Sequence, residues 1–306
     1  MNFGPTRRGM LASAAAAGAV LTTSLYGVAS AQGVAGFPGS GQFDGSYDPR
    51  ASDAQEGGQS TYNGSIAVTL LDRFLVQSAL PGDFRLAERN DGGTTHPVIH
   101  LVGHQRDLML LKGGVPHPAG APDYQEMILL IPFVNRGSGS KWHTFALRMF
   151  LDQAPEVAIG NITFAYAKVL GQLTEIGLPA DLTTRITVLL RVFEGNVRRT
   201  GSWRTSDNAG MTLPPWKDLQ EIFKMPVVGA DVALDVVVRT VCSYWEWDYT
   251  NAEVAPATSR HQFLQTLRDG MDGWVQLGPL SSDPNGTFAI RGLRWRLAAQ
   301  PPACSF

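Results

Sequence analysis

The stretch FAYAKVLG, residues 164–171, places one of the chain's five lysines among apolar side chains. A lysine in such company lies either at a surface edge, with its ammonium group in water, or inside a pocket. Burial disfavours the charged ammonium and lowers its pKa. A neutral lysine amine attacks carbonyl carbon and forms a Schiff base. Lys168 is therefore a candidate nucleophile.

Local composition does not distinguish Lys168 from every other lysine. Lys224, between Phe223 and Met225, has a nearly equally apolar neighbourhood. The ordinary alternative for either residue is a surface lysine on a strand edge. The choice depends on the sequence that flanks residues 164–171.

The flanking sequence resembles the acetoacetate decarboxylase family. Residues 155–161, PEVAIGN, are similar to the family's E-P-A/V-x-x-G-R-E segment, and residues 165–171, AYAKVLG, to its Y-P-K-K-L-G segment. Lys168 falls on the first lysine of that pair, which forms the Schiff base in the family. Residues 123–126, DYQE, resemble the family's Y-x-E segment, whose glutamate faces the same pocket.

The resemblance covers most of residues 62–298 and is specific around residues 123–171. Two departures lie beside the lysine: Val169 stands at the family's second lysine, and Ala167 at its proline. The family's arginine–glutamate pair near the start of its domain has no clear counterpart around Tyr62. In that family the nucleophilic lysine is activated beside another cation. Here we expect desolvation, or a more distant arginine, to lower the pKa of the lysine instead.

The resemblance implies a lyase without a cofactor that acts through Lys168 on a small keto acid, as a decarboxylase or an aldolase-dehydratase. Glu126 would serve as acid and base, moving a proton to the enamine carbon or aiding loss of water from the carbinolamine. We expect four further residues to line the substrate pocket: Phe164, Tyr166, His100 and His104. The resemblance also implies a homo-oligomer.

The absence of the second lysine motivates a different hypothesis, a secreted small-molecule-binding protein with the same fold and no catalysis. Such a protein would keep the pocket around Lys168 but release no product. A ligand-dependent rise in Tm without turnover would favour it.

The histidines suggest a third, metal-based chemistry. His96, His100 and His104 recur every four residues, which places them on one face of a strand. With Glu126 they would offer ligands suited to zinc. However, His96 and His104 would lie roughly 26 Å apart on a strand that rises about 3.3 Å per residue. No H-E-x-x-H motif is present, and we predict no metal at the site.

The pattern of apolar residues predicts mostly strands. Helical spacing is confined to residues 72–79 and 261–271. Strand-like runs occupy residues 65–70, 98–102, 108–111, 127–134, 145–151, 186–192, 233–241 and 288–297. We therefore predict a mainly β (α+β) fold, an antiparallel β-barrel or cone of acetoacetate decarboxylase type with a few short helices and a small-molecule cavity.

The first 31 residues have the anatomy of a twin-arginine signal peptide. Arg7 and Arg8 precede an apolar run over residues 10–28, and Ala29-Ser30-Ala31 forms an A-x-A cleavage site. We therefore predict an exported protein, periplasmic or extracellular, whose mature chain begins at Gln32.

The rest of the chain is predicted to be a flexible leader, residues 32–61, rich in Gly and Ser, followed by one domain, residues 62–306. The formal charge of the whole chain is −2. With neither basic patch nor later apolar span, we expect no nucleic-acid partner and, after signal cleavage, no membrane. Cys242 and Cys304 lack metal-site spacing and are candidates for a disulfide in an exported protein.

Overall fold

The computed structural model describes most of the chain from Glu56 onward. The described residues are 56–88, 92–113, 115–118, 122–139, 141–178, 181–188, 191–205, 219–220, 222–234, 236–266, 274–281, 287–299 and 306. The predicted signal peptide lies outside them, as do Cys304 and all of the predicted leader except residues 56–61. None of the helices in these ranges is long and apolar enough to cross a membrane.

The described residues form two helices and sixteen strands. The helices are α1 (Arg73–Ala79) and α2 (Ala154–Phe164). The strands are β1 (Glu56–Asp72), β2 (Phe84–Leu86), β3 (Thr95–Lys112), β4 (Val115–Pro118), β5 (Tyr124–Arg136), β6 (His143–Leu151), β7 (Lys168–Leu170), β8 (Gln172–Leu178), β9 (Asp181–Val188), β10 (Arg191–Arg199), β11 (Arg204–Thr205), β12 (Val227–Ala233), β13 (Val236–Asp248), β14 (Glu253–Thr266), β15 (Trp274–Ser281) and β16 (Thr287–Ala299).

Seven strands close a ring in the order β1-β3-β5-β6-β12-β13-β16, and β16 pairs back onto β1. The neighbours are antiparallel except β6 and β12, which are joined by a short parallel pairing. Strands β14, β10, β9 and β8 continue the sheet outward from β16. The parallel pair and the register shifts between β5 and β6 make the ring an irregular barrel. The predicted mainly β fold with few short helices is confirmed.

Alternation along the ring strands sends every second side chain inward. The inner side chains form the main hydrophobic core, which includes Tyr62, Leu101, Tyr124, Ile128, Leu130, Met149, Trp245, Trp247, Trp295 and Leu297. Met127 and Leu129, the alternate residues of β5, instead pack with Val102 and Phe150 in a separate cluster. Glu126 therefore occupies an inward position on β5, in a row of otherwise apolar and aromatic residues.

Two glycines allow β1 and β3 to approach closely beside that carboxyl. Gly64 pairs with Gly103 across the two strands, and Gly103 pairs in turn with Glu126 on β5. A Cβ atom at Gly64 would overlap the backbone of β3 and lie 2.7 Å from the Tyr62 hydroxyl. The two cross-strand positions next to Glu126, first on β3 and then on β1, therefore carry no side chain.

Helix α2 connects β6 to β7 and ends in a left-handed residue. Ala165 has φ of 52°, and the Tyr166 N–H donates to the Gly160 carbonyl at 3.3 Å. This pattern closes the helix and turns the chain sharply. The next residues enter β7, which lies parallel to β6 with Lys168 opposite Met149.

The structure confirms one of the two predicted helices. Helix α1 matches the helical spacing at residues 72–79, and the Asp72 side chain caps it by accepting the Leu75 N–H at 3.1 Å. The helix predicted at residues 261–271 is wrong, because residues 261–266 belong to β14 and pair with β15. The remaining residues of that prediction, up to 271, are not described.

Two further features bear on the predicted leader and on the predicted disulfide. Strand β1 begins at Glu56, so residues 56–61 of the predicted leader belong to the sheet. This segment pairs with β3 and, from Gly57, also with β16. Cys242, on β13, is buried and disulfide-bonded.

Candidate active site

Lys168 is held at the start of β7 by a double contact with α2. Its backbone N–H donates to Asn161 Oδ1 at 2.8 Å, and its carbonyl accepts from Asn161 Nδ2 at 2.9 Å. The side chain runs back along the helix, where a Cβ atom at Gly160 would overlap Cδ and Cε and lie 2.7 Å from Nζ. The Nζ atom donates a long hydrogen bond of 3.4 Å to the Glu156 carbonyl.

Two opposing effects act on the pKa of the Lys168 amine. Burial lowers the pKa of Lys168 below its ordinary value, whereas the nearby carboxyls of Glu126 and Glu156 act in the opposite direction. Lys224, the competing lysine of the sequence, is exposed. The structure therefore distinguishes the two residues by burial, which their local composition did not.

Glu126 is 2% exposed and lies on the inner side of β5. Burial raises the pKa of this carboxyl to about 7, although a hydrogen bond from Gln105 and the charge of Lys168 both act to lower it. A carboxyl with such a pKa gives up and takes back protons near neutral pH, as a general acid and base must. The charges of Glu126 and Lys168 each act on the pKa of the other group.

Gln105, which was not among the site residues predicted from the sequence, fixes the orientation of Glu126. Its Nε2 donates to Glu126 Oε1, while its Oε1 accepts from the Ser60 hydroxyl and the Trp295 indole N–H. These three contacts fix the orientation of the amide. The sequence signal for Gln105 is a polar residue at an inward position of β3. That position can be assigned only once the strand register is known.

Tyr166 lies beside the lysine, and Phe164 stacks on Tyr166. Their rings stack with centroids 5.4 Å apart, and Lys168 Nζ is 6.0 Å from the centroid of the Tyr166 ring. The Tyr166 hydroxyl bonds Ser243 and accepts from the Trp245 indole at 2.8 Å. The ring of Tyr166, not its engaged hydroxyl, is therefore the part available to the amine.

The structure does not bring His100 and His104 to the Glu126 side of the sheet. Glu126 pairs with Gly103, and alternation sends even-numbered residues of this part of β3 to the opposite face. His104 Nε2 contacts Glu175 Oε2 at 2.7 Å. His100 pairs with Leu129, which packs with Met127 in the separate cluster and not in the main core. Within the described ranges, no group of three His, Cys, Asp or Glu side chains is placed to hold a metal ion.

Glu156 is a second carboxyl of the site and was not among the functional residues predicted from the sequence. It lies in the first turn of α2 and is 6% exposed. Burial raises its pKa, and its Oε2 has no hydrogen-bond partner among the described residues. The charge of Glu156 acts on Lys168 and also on the Tyr124 hydroxyl.

A cavity of about 440 Å³ borders the Gln105 network. Ser60 and Trp295, two of its lining residues, are the partners of Gln105 Oε1. Other lining residues are charged and include Asp248 and Arg294, but neither Lys168 nor Glu126 lines it. We therefore assign the candidate site to the lysine and the two carboxyls and place no substrate in this cavity.

The fold is similar to that of acetoacetate decarboxylases. The enzyme from Legionella pneumophila aligns with a TM-score of 0.53 and 16% sequence identity over 82% of this chain and 89% of that chain. A second acetoacetate decarboxylase structure aligns with a TM-score of 0.51 and 14% identity over 81% and 89% of the two chains. At such identities the likeness shows the fold.

An enzyme of enduracididine biosynthesis, MppR, shares the fold as well. Its complex with the condensation product of pyruvate and imidazole 4-carboxaldehyde aligns with a TM-score of 0.50 and 13% identity, over 79% of this chain and 87% of that chain. No family model matches the sequence, and no curated protein matches it.

Proposed function

We propose that this protein is a carbon–carbon lyase that forms an imine between Lys168 and the carbonyl carbon of a small keto compound. The observation that carries the proposal is a half-buried lysine, held against α2 by Asn161 and Gly160, whose pKa burial lowers. Its charge also acts on the pKa of Glu126, a buried carboxyl with a pKa of about 7. The resemblance of residues 123–171 to the acetoacetate decarboxylase family supports the same pair, and it implies keto acids as the substrate class.

The chemistry begins with addition of the neutral Nζ to the carbonyl carbon. The carbonyl oxygen leaves as water, and with the uptake of one proton the nitrogen becomes part of an iminium cation. Glu126, in its acid form, is suited to protonate the departing oxygen.

The iminium then accepts an electron pair from a breaking carbon–carbon bond. With a β-keto acid, CO₂ leaves, the pair forms the double bond of an enamine, and the iminium nitrogen becomes neutral. Glu126 protonates the enamine carbon, and water hydrolyses the new iminium to the ketone and the free lysine. With a substrate such as pyruvate, loss of a proton from the carbon next to the iminium gives the enamine instead. That carbon attacks an aldehyde, whose oxygen takes up a proton as the carbon–carbon bond forms, and water then hydrolyses the iminium to release the product and the free lysine.

The similar structures support both branches without choosing between them. Acetoacetate decarboxylase represents loss of CO₂, and the MppR complex contains a condensation product of pyruvate with an aldehyde. Both enzymes share only the fold with this chain. We therefore propose the imine as the common step and leave the branch to experiment.

Reductive trapping tests the imine directly. The purified chain is incubated with pyruvate, acetoacetate or acetone and sodium borohydride, and the modified peptide is located by mass spectrometry. We expect an adduct on Lys168, absent in Lys168→Ala and retained in the control Lys224→Ala. The adduct mass from acetoacetate shows whether CO₂ has left. An adduct confined to Lys224, or none, would contradict the proposal.

Val169, at the position of the family's second lysine, favours the binding protein as a second candidate function. Among the described groups, those that act electrostatically on the Lys168 amine are two carboxyls, which raise its pKa, whereas a neighbouring ammonium would lower that pKa and activate the nucleophile. A keto compound that raises the Tm without forming an adduct or a product would favour this function.

Export remains part of the proposal because Arg7 and Arg8 precede an apolar run and an A-x-A site. Mass spectrometry of the protein recovered outside the cytoplasm should give Gln32 as the first residue, and Arg7→Lys with Arg8→Lys should retain the chain in the cytoplasm. The homo-oligomer implied by the family resemblance is tested on the same material by light scattering.

A further inference from the structure

The hydrogen bonds around Gln105 determine which way its side-chain amide points. The indole N–H of Trp295 can only donate a hydrogen bond, so the Gln105 atom that it reaches must be the carbonyl oxygen Oε1. The Ser60 hydroxyl, which can donate or accept, donates to the same atom. The other end of the amide, its NH₂ group, is therefore directed at Oε1 of Glu126.

This orientation restricts where Glu126 can carry a proton. An amide NH₂ group offers donors and no acceptor, so a proton on Oε1 of Glu126 would face a second donor. In the acid form of a carboxyl, the carbonyl oxygen accepts a hydrogen bond better than the hydroxyl oxygen does. Gln105 and Glu126 are each 2% exposed, so water does not compete for this contact. Protonated Glu126 thus keeps Oε1 as its carbonyl oxygen and carries the proton on Oε2.

We propose that Gln105 is a positioning residue that confines the catalytic proton of Glu126 to Oε2, and that the indole of Trp295 imposes this arrangement. The inference rests on the proposed acid–base role of Glu126 and deepens it by naming the oxygen that acts. In the proposed reaction, the O–H bond at Oε2 breaks as that proton passes to the departing carbonyl oxygen, which leaves as water. The carboxylate that remains accepts the N–H of Gln105, which favours its charge.

The other groups that face Glu126 do not depend on the amide. Among the described residues, they are Lys168 on β7, Tyr62 on β1 and Tyr124 on β5. Burial and the charge of Glu126 raise the pKa of both tyrosines well above its ordinary value, so their hydroxyls stay neutral near pH 7. The charge of Lys168 is the same whichever way the amide points. A changed titration of Glu126 in an amide variant therefore reports on the amide.

Difference infrared spectroscopy follows the proton without a substrate. The C=O stretch of protonated Glu126 is identified by its loss in Glu126→Gln, and its intensity against pH gives the midpoint of the titration. In Gln105→Met the carboxyl loses its N–H donor. We expect the midpoint to rise by about one pH unit, and the stretch to move to higher frequency because Oε1 no longer accepts a hydrogen bond.

Trp295→Phe tests the indole itself. Without the donor, the amide of Gln105 is free to turn its oxygen toward the carboxyl, which favours the acid form of Glu126, so the midpoint should again rise. Trp247→Phe is the matched control, since Trp247 belongs to the same core and its indole N–H has no hydrogen-bond partner within the described chain. It should leave the midpoint and the frequency unchanged.

Borohydride trapping of pyruvate on Lys168 connects the proton to the reaction. Its rate should fall at least roughly tenfold in Gln105→Met and Trp295→Phe, and Trp247→Phe should keep the wild-type rate. A midpoint that is unchanged in Trp295→Phe, or that rises equally in Trp247→Phe, would overturn the inference.

The failure of the proposed function has a different signature. No adduct on Lys168 in the wild type would overturn the imine chemistry and, with it, the catalytic role of the proton, even where the infrared titration behaves as expected. Circular dichroism establishes that each variant is folded. If either Gln105→Met or Trp295→Phe does not fold, the other variant decides the inference against the same control.

Discussion

Glu126 and Lys168 set each other's protonation at the centre of the site. Burial raises the pKa of the carboxyl to about 7 and lowers that of the amine, and each charge opposes the shift of the other. Near neutral pH, both groups are therefore closer to exchanging protons than an exposed glutamate and lysine would be. In the proposed reaction, burial would favour the neutral amine in place of a second cation, because the residue at 169 is valine.

Glu126→Gln should abolish most turnover while leaving slow imine formation. The amide cannot donate and recover a proton, and loss of general acid–base catalysis costs about 10²- to 10⁴-fold in rate. Steady-state kinetics over pH 5 to 9 should show a wild-type limb near pH 7 that is missing in the variant. A limb retained in Glu126→Gln would assign that titration to another group.

The same substitution should change how stability depends on pH. Glu126 has a folded-state pKa of about 7 against an ordinary 4.5, so between these values the folded state holds a proton that the unfolded state has lost. Its contribution is complete below pH 4.5 and is lost as the pH rises through 7.

Relative to wild type, Glu126→Gln should therefore gain about 3 kcal/mol in free energy of unfolding between pH 4 and pH 8. Urea denaturation at several pH values measures the difference. His143, whose burial lowers its pKa to about 4, titrates in both proteins and cancels. A constant difference would mean that the carboxyl is not desolvated.

At the scale of elements, the apolar runs of the sequence predicted strands of the ring, but no pattern predicted helix α2, which positions Lys168. The hydrophobic runs at 127–134 and 145–151 identify β5 and β6 because alternation and burial leave a pattern. Helix α2 lacks a clear apolar stripe: Ile159 and Ile162 are exposed, and Gly160 is buried. Its left-handed Ala165 carries no glycine signal at all.

The register between strands explains the errors at the site. A spacing of four correctly places His100 and His104 on one face of β3, but cannot say which face Glu126 shares. The face that Glu126 occupies depends on its pairing with Gly103, which is distant in sequence. A shift of the register by one residue would place Glu126 on the same face as the two histidines. Gln105 was missed and the histidines were misplaced for this one reason.

Gly160→Ala should disable the lysine without unfolding the helix. The new methyl group would overlap Cδ and Cε of Lys168, whereas alanine favours a helix by about 1 kcal/mol over glycine. We expect borohydride trapping on Lys168 to fall at least roughly tenfold, with the Tm retained. The control Ala158→Gly, at an exposed position of the same helix, weakens the helix and should leave trapping intact.

On the scale of the whole molecule, ring closure depends on β1, which pairs with β3 on one side and β16 on the other. Its first residues, from Glu56, lie outside the domain boundary drawn from composition. Polar and glycine-rich composition indicates low core-forming capacity, but backbone pairing within a sheet does not require apolar side chains. Ser60, in this segment, also donates to Gln105.

A chain that starts at Tyr62 should therefore be less stable than one that starts at Gln32, on the order of 3 kcal/mol for the lost pairing. It should also lose imine formation, because Gln105 loses a partner. Thermal unfolding and trapping measure the two effects, with a chain that starts at Glu56 as the control. Equal stability of the chains starting at Gln32 and Tyr62 would show that residues 56–61 contribute little to the ring.

The three inward-facing tryptophans form an intrinsic spectroscopic probe of the site. The ring centroids of Trp245, Trp247 and Trp295 lie 6.0 to 6.5 Å apart, close enough for the indoles to share excitation energy and to couple in circular dichroism. The indole of Trp295 is bonded to Gln105, which is bonded to Glu126. Events at the lysine should therefore be visible as changes in intrinsic fluorescence, in real time and without a label.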